Sequence, residues 1–217
     1  MKQKRKILII GILVVIAATL SSIGFYYWYE NTYYVSTDDA RVDADLVNVT
    51  PQISGKLLEL NVDEGDIVIK NQILARQEMS DLSDSKVDQS LIRSPINGII
   101  IKKQGTTGEI WSPGQTLATL IDPNKLYITA DIEETKLGKI RVGQPVNITI
   151  DEYGSQKFTG KVKSVGEAAK SALSIIPTTT SGTFTKVVQR IPIKISLDKF
   201  NSKILPGTNA VVKIRIK

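Results

Sequence analysis

Two residue types are missing from this 217-residue chain: it contains no cysteine and no histidine. Without them there can be no disulfide framework, no Cys/His zinc site, no thiolate nucleophile and no histidine-based triad. Cysteine-free chains occur in every compartment, so this absence says nothing of redox environment. Concentrated positive charge is also missing. Lys and Arg number 28 against 22 Asp and Glu, but four of the basic residues are Lys2, Lys4, Arg5 and Lys6. The rest of the chain carries 24 against 22, or +2. A nucleic-acid binder needs a basic face to grip phosphates, so no nucleic-acid partner is expected. No catalytic, cofactor-binding or metal-ligating set is expected either.

The clearest positive feature is the stretch from Ile7 to Tyr29, which has no charged residue. As a helix it would be about 34 Å long, enough to cross a hydrocarbon core of about 30 Å. Lys4, Arg5 and Lys6 on its N-terminal flank place residues 1–6 in the cytoplasm by the positive-inside bias. Tyr26, Tyr27, Trp28 and Tyr29 form an aromatic belt suited to the outer interface. The expectation is a single-pass protein of the cytoplasmic membrane with its C-terminal domains outside. A cleaved signal peptide would have a shorter apolar core, whereas here the core runs on past "AATLSS" through Ile23 and Phe25. Residues 30–46 read as a linker with a possible barrel strand.

"SGKLLELNVDEGDIVIKNQILARQ", residues 54–77, has strand alternation, an acidic-glycine turn and a second apolar run. A lone strand–turn–strand unit is marginal in water. Its partner lies 43 residues on, in "NGIIIKKQGTTGEIWSPGQTLATL". At that offset Gly55 falls on Gly98, Gly65 on Gly108, Ile67 on Ile110, Gln72 on Gln115, Leu74 on Leu117 and Ala75 on Ala118, without a gap. Two copies can bury faces that neither could bury alone. Residues 47–122 are therefore expected to form one β-sandwich from halves 47–77 and 91–122. Gly55, Gly65, Gly98, Gly108 and Gly114 are its expected turn positions, with Lys70-Asn71 standing where Pro113-Gly114 stands in the second copy. Trp111, beside the second turn, reads as a core filler ahead of a partner-contact aromatic.

The polar stretch 78–90 reads as a loop or short helix bridging the halves. From Leu126 onward alternating apolar residues, such as Ile191, Ile193 and Ile195, predict short strands punctuated by "RVGQPV" and "LPGTNA". Residues 123–217 are accordingly expected to form a small β-barrel, with 133–140 a short helix at one mouth. The Ser/Thr-rich stretch 168–189 reads as a long loop, and its Ile175, Ile176 and Pro177 are candidate partner contacts.

Other constellations carry less. Lys86 could be imagined as the modified lysine of a lipoyl-type carrier, but its surroundings are longer and more acidic than a tight hairpin. Asp38, Asp39, Asp43 and Asp45 lack the glycine and closing glutamate of an EF-hand loop and read as a solvated face. Glu133 and Glu134 are adjacent, so they point different ways on a helix and read as surface.

In their order along the chain, "TDDARVDADLVNVTPQISGKLLELNVDEGDIVIKNQILA", "IRSPINGIIIKKQGTTGEIWSPGQTLATLID", "ADIEETKLGKIRVGQPVNITID" and "SALSIIPTTTSGTFTKVVQRIPIKI" resemble the membrane fusion, or periplasmic adaptor, proteins of the HlyD/EmrA type. With the anchor, the resemblance covers nearly the whole chain. It implies a mainly β protein: a transmembrane helix, a lipoyl/biotinyl-like sandwich and a small barrel. It also implies a non-enzymatic subunit that assists an inner-membrane transporter of the major facilitator or ABC class in exporting drugs or other compounds, and that assembles as a homo-oligomer. The family usually carries a long α-helical hairpin between the sandwich halves, and 78–90 replaces it, which argues against docking to an outer-membrane channel. The alternatives are an envelope-anchored binding or signalling module without a transporter, and a carrier domain.

Overall fold

A computed structural model describes residues 2–78, 84–154, 156–168, 188–198 and 204–217, with side chains described from Gly11 in the first helix and from Val87 in the second. Helix α1 (Lys2–Tyr33) is 32 residues long, extending beyond the expected 7–29 at both ends. A helix satisfies its own backbone hydrogen bonds, and the flanking Lys, Arg, Gln and Glu residues are compatible with continuing it. From Gly11 to Trp28 every residue of α1 is exposed, whatever direction it faces. A helix apolar all round needs an apolar surrounding, and Gly11–Tyr33 is long enough, with a mean hydropathy of 1.6, to cross a membrane.

No linker follows the helix. Glu30–Tyr33 finish α1, and β1 (Tyr34–Asp43) starts at the next residue, so within 30–46 the linker expectation is corrected while the possible barrel strand is present. Buried Val35 and buried Ala40 and Val42 are out of phase for a simple strand. A register shift between Thr37 and Ala40 in the pairing with the last strand accounts for it.

One compact unit contains residues 42–127. Its strands are β2 (Val47–Val49), β3 (Gly55–Leu60), β4 (Ile67–Val68) and β5 (Ile73–Gln77), then helix α2 (Asp84–Ser90), then β6 (Leu91–Arg93), β7 (Gly98–Lys103), β8 (Ile110–Trp111) and β9 (Ala118–Ile121). They form two four-stranded sheets, ordered β2-β9-β7-β4 and β6-β5-β3-β8. Shifting one order by 43 residues gives the other. Each half lends its short turn strand to the other half's sheet: β4 pairs with β7, and β8 with β3. The hydrogen bonds are reciprocal too. Gly65 N donates to Ile100 O and Gly108 N to Leu57 O, both at 2.7 Å. Leu57/Ile100, Leu74/Leu117, Ala75/Ala118 and Val49/Ile92 make a shared core. Neither half has a complete sheet of its own, which is why the unit needs both.

The glycines fall into two kinds. Gly65 (φ +93°), Gly108 (φ +96°) and Gly114 (φ +91°) occupy turns that demand positive φ, and Asn71 (φ +70°) matches Gly114 in the first copy. Gly55 and Gly98 are not turn residues: they open β3 and β7. They are small because the neighbouring backbone is close. A Cβ on Gly98 would lie 2.3 Å from Ile121 O, and one on Gly55 2.6 Å from Glu78 O. Trp111 is half-buried against the sandwich core.

The second unit holds α1 and the barrel. Here β10 (Tyr127–Glu133), α3 (Glu134–Leu137), β11 (Pro145–Ile150), β12 (Lys157–Val165), β13 (Arg190–Leu197) and β14 (Asn209–Arg215) follow in sequence. With β1 they close a six-stranded barrel, β1-β10-β13-β12-β11-β14. The sandwich is thus an insertion between the first barrel strand and the other five. Ile128, Ile132, Ile148, Ile150, Ile193, Ile195, Val212 and Ile214 are buried, and closure leaves no sheet edge. Residues 169–187 are outside the described residues, and with them Ile175, Ile176 and Pro177.

Candidate functional site

The end of α1 is fastened to the barrel by rings, charge and backbone. Tyr29 stacks on Tyr33 with centroids 4.6 Å apart and lies 6.5 Å from Tyr34, the first residue of β1. Phe25 and Trp28 meet at 5.9 Å, and Tyr26 and Tyr27 edge-on at 6.0 Å. Glu30 accepts from Lys213 Nζ at 2.5 Å, and Ile216 N donates to Tyr33 O at 2.9 Å. That hydrogen bond to Glu30 holds the Lys213 ammonium above the ordinary lysine value, burial opposing it more weakly. The four belt aromatics therefore stand in the last turns of a helix that enters the barrel with no slack. Lys4, Arg5 and Lys6 belong to the first turns of α1, and their side chains are outside the described residues.

Beside this junction is a cavity of about 410 Å³. The helix end (Tyr27, Glu30, Asn31), the start of β1 (residues 34–36) and the region of α3 (Lys136, Lys139) line it. Lys136 pairs with Glu133 at 3.0 Å, so Glu133 is engaged by a lysine and does not converge with Glu134 as an acid/base pair.

The aspartates of 38–45 do not come together. Asp39 forms an ion pair with Arg190, Asp43 Oδ1 accepts from the next residue's N–H at 3.0 Å, and Asp38 is exposed. No group of three or more Asp or Glu arranged for a metal occurs among the described residues. Lys86 falls within α2 and not on a tight hairpin turn, the setting a carrier lysine needs; its side chain is outside the described residues.

On the sandwich, side chains pin the acidic turn of the first half, and one glutamine contact is common to both halves. Asp66 Oδ2 accepts from Asp63 N at 2.8 Å, Glu64 Oε1 from Lys103 N at 3.0 Å, and Lys103 pairs with Asp63. Gln72 and Gln115 each use Oε1 to accept a backbone N–H three residues earlier, at 3.0 and 2.8 Å. Ile67, Ile69 and Ile110 beside these turns are exposed, a surface that reading the alternation alone does not expose. Gln77 is the residue sequence reasoning missed. It is 2% exposed, and its Nε2 donates to Gly55 O at 3.1 Å and Trp111 O at 3.0 Å, tying β5 to the β3–β8 pair. The signal was present: at the 43-residue offset Gln77 matches buried Leu120.

Comparison with known proteins agrees with this geometry. Residues 45–123 match the "RND MFP, barrel-sandwich hybrid domain" family and residues 125–215 the "AAEA-like beta-barrel domain" family. The YhbJ protein of Bacillus subtilis (strain 168), whose name assigns it provisionally to an efflux system, is 38% identical over 207 residues, 95% of this chain and 90% of that one. The multidrug export protein EmrA of Escherichia coli (strain K12) is 35% identical over 115 residues, 52% of this chain. The aligned part is only 30% of EmrA's length. A solved structure of the periplasmic adaptor protein EmrA superposes with a TM-score of 0.60 at 15% identity, covering 85% of this chain and 99% of that one; this shows a shared fold.

Proposed function

The chain belongs to the membrane fusion, or periplasmic adaptor, protein family of efflux systems, as an EmrA/YhbJ-like short form without the α-hairpin, and we propose that it is the membrane-anchored partner of an inner-membrane transporter. In this reading α1 is retained as a single span with Lys4, Arg5 and Lys6 in the cytoplasm, and barrel and sandwich lie outside. The transporter is of the major facilitator or ABC class, and the cargo is a drug or another small compound. The chain does no bond chemistry. It holds or gates the transporter's outer face, as a homo-oligomer.

The observation that carries this reading is the direct passage of α1 into β1, locked by Tyr29, Tyr33, Tyr34 and the Glu30–Lys213 pair. A barrel joined to a span without slack stays at the membrane surface, beside whatever spans the membrane next to it. The short 78–90 segment supports a device that ends near its own membrane and reaches no outer-membrane channel.

The test is affinity purification of the full chain from native membranes in mild detergent, followed by mass spectrometry. A stoichiometric transporter with about a dozen spans is the expected companion and names its class. Recovery of the chain alone, repeated after crosslinking in intact cells, would refute the partnership.

A further inference from the structure

We propose that the cavity at the helix–barrel junction is a binding site for the phosphate of an anionic lipid head group, taken from the leaflet that the barrel faces. The proposal rests on α1 spanning the membrane, but not on which way it points.

Three features converge there. The first is depth. One wall of the cavity is Tyr27, Glu30 and Asn31, and Trp28 sits within the same turn. Tyr and Trp rings at a span's end settle at head-group level, so the cavity opens where lipid phosphates are found. The second is charge. Glu30, the one carboxylate in the lining, is already engaged by Lys213. Lys136 and Lys139 face the same space. Lys136 shares its charge with half-buried Glu133, while the Lys139 ammonium has no ion-pair partner among the described residues. The third is size and donors. About 410 Å³ falls within the range of small-ligand pockets, and Asn31, Tyr34 and Ser36 add polar groups that can hydrogen-bond phosphate oxygens.

A lipid is favoured over a soluble phosphate by what adjoins the cavity. The neighbouring turns of α1 expose Ile23, Phe25 and Trp28, along which acyl chains can lie. A free phosphate gains nothing from that surface. Occupancy would fasten the barrel to the membrane at a second point beside the span, fixing its rotation about α1.

The experiment is native mass spectrometry of the full chain released from detergent micelles titrated with phosphatidylglycerol or phosphatidylcholine. Phosphatidylglycerol is expected to bind at least tenfold more tightly. A lysine near a membrane surface is worth about fivefold in anionic lipid binding, so Lys139→Gln should weaken it about fivefold and Lys136→Gln/Lys139→Gln about twentyfold. Lys102→Gln, an exposed residue on a sandwich strand, should change nothing. Equal binding of the two lipids, or undiminished phosphatidylglycerol binding by the double variant, would overturn the proposal. So would displacement of the lipid by glycerol 3-phosphate at equal concentration, which would assign the cavity to a soluble phosphate. Retention of the chain in carbonate-washed membranes reads the anchor separately, so losing the span and losing lipid selectivity are distinguishable.

Discussion

Replacing Gly98 by alanine places a methyl carbon 2.3 Å from Ile121 O and 3.2 Å from Ile121 C. Both are backbone atoms of β9, the strand hydrogen-bonded to β7, so no side chain can swing aside. Relief requires the two strands to part in the middle of a sheet. That is overpacking at its costly end, about 3 kcal/mol. Gly65→Ala is the matched contrast. Its new carbon meets nothing within 4 Å, and the cost is only that of a non-glycine residue at φ +93°, about 1 kcal/mol. The assay is urea unfolding of the full chain in detergent, followed by tryptophan fluorescence. The chain has two tryptophans, and a Trp28→Phe background leaves Trp111, against the sandwich core, as reporter. With a slope of about 1 kcal/mol per molar urea for a unit this size, the midpoint should fall by about 3 M for Gly98→Ala and about 1 M for Gly65→Ala. Gly55→Ala, related to Gly98 by the repeat, should behave like Gly98→Ala. If Gly98→Ala proves no worse than Gly65→Ala, the close approach of β7 and β9 is not what keeps glycine there, and the account of the paired glycines fails.

Ile214→Ala removes a fully buried side chain whose residue pairs with Val35 in β1 and Val146 in β11; barrel stability should fall by about 3–4 kcal/mol in thermal unfolding. Gln77→Leu restores the residue type of the second half but leaves the carbonyls of Gly55 and Trp111 without their donor, so a loss of about 1–2 kcal/mol is expected by the same urea assay. Because Lys213 is held above its ordinary value near 10.5, the Glu30–Lys213 pair stabilises the junction fully below that pH and is lost as pH rises through the raised value. The wild-type minus Lys213→Gln difference in melting temperature should therefore be flat from pH 7 to 9 and shrink as the pH rises beyond the ordinary lysine value. Since the chain has no cysteine, Lys102→Cys provides a single thiol. A membrane-impermeant maleimide should label it in intact cells, and replacing Lys4, Arg5 and Lys6 with glutamate should reduce that labelling.

Much of the fold was legible because two periodicities were strong. The 43-residue offset predicted a shared sandwich, and period-2 alternation from Leu126 predicted the barrel; both are seen. Other features were legible only in part. Asn71 stands opposite Gly114 in the repeat, yet its positive φ is a property of the folded turn. The 34–43 strand is harder to read because its register shift breaks the alternation a strand is recognised by. The junction cavity has no sequence signal, since Lys136 and Lys139 are about a hundred residues from Tyr27 and Glu30 and resemble any surface lysines until the barrel closes.

What the sequence alone determined is whatever depends on local composition: a charge-free apolar stretch, basic and aromatic flanks, a repeat that requires a partner, and the absence of cysteine and histidine. These follow from transfer energies and backbone preferences that act over a few neighbours. The tertiary structure decided the rest. The two halves exchange turn strands, so Gly55 and Gly98 are fixed by distant carbonyls and not by their own turns. The first strand leaves the barrel before the sandwich and the last returns after it, so β1 and β14 meet across the whole chain. Glu30 and Lys213 become partners only through that closure, because pairing between strands obeys hydrogen-bond geometry and shared burial without regard to separation along the sequence.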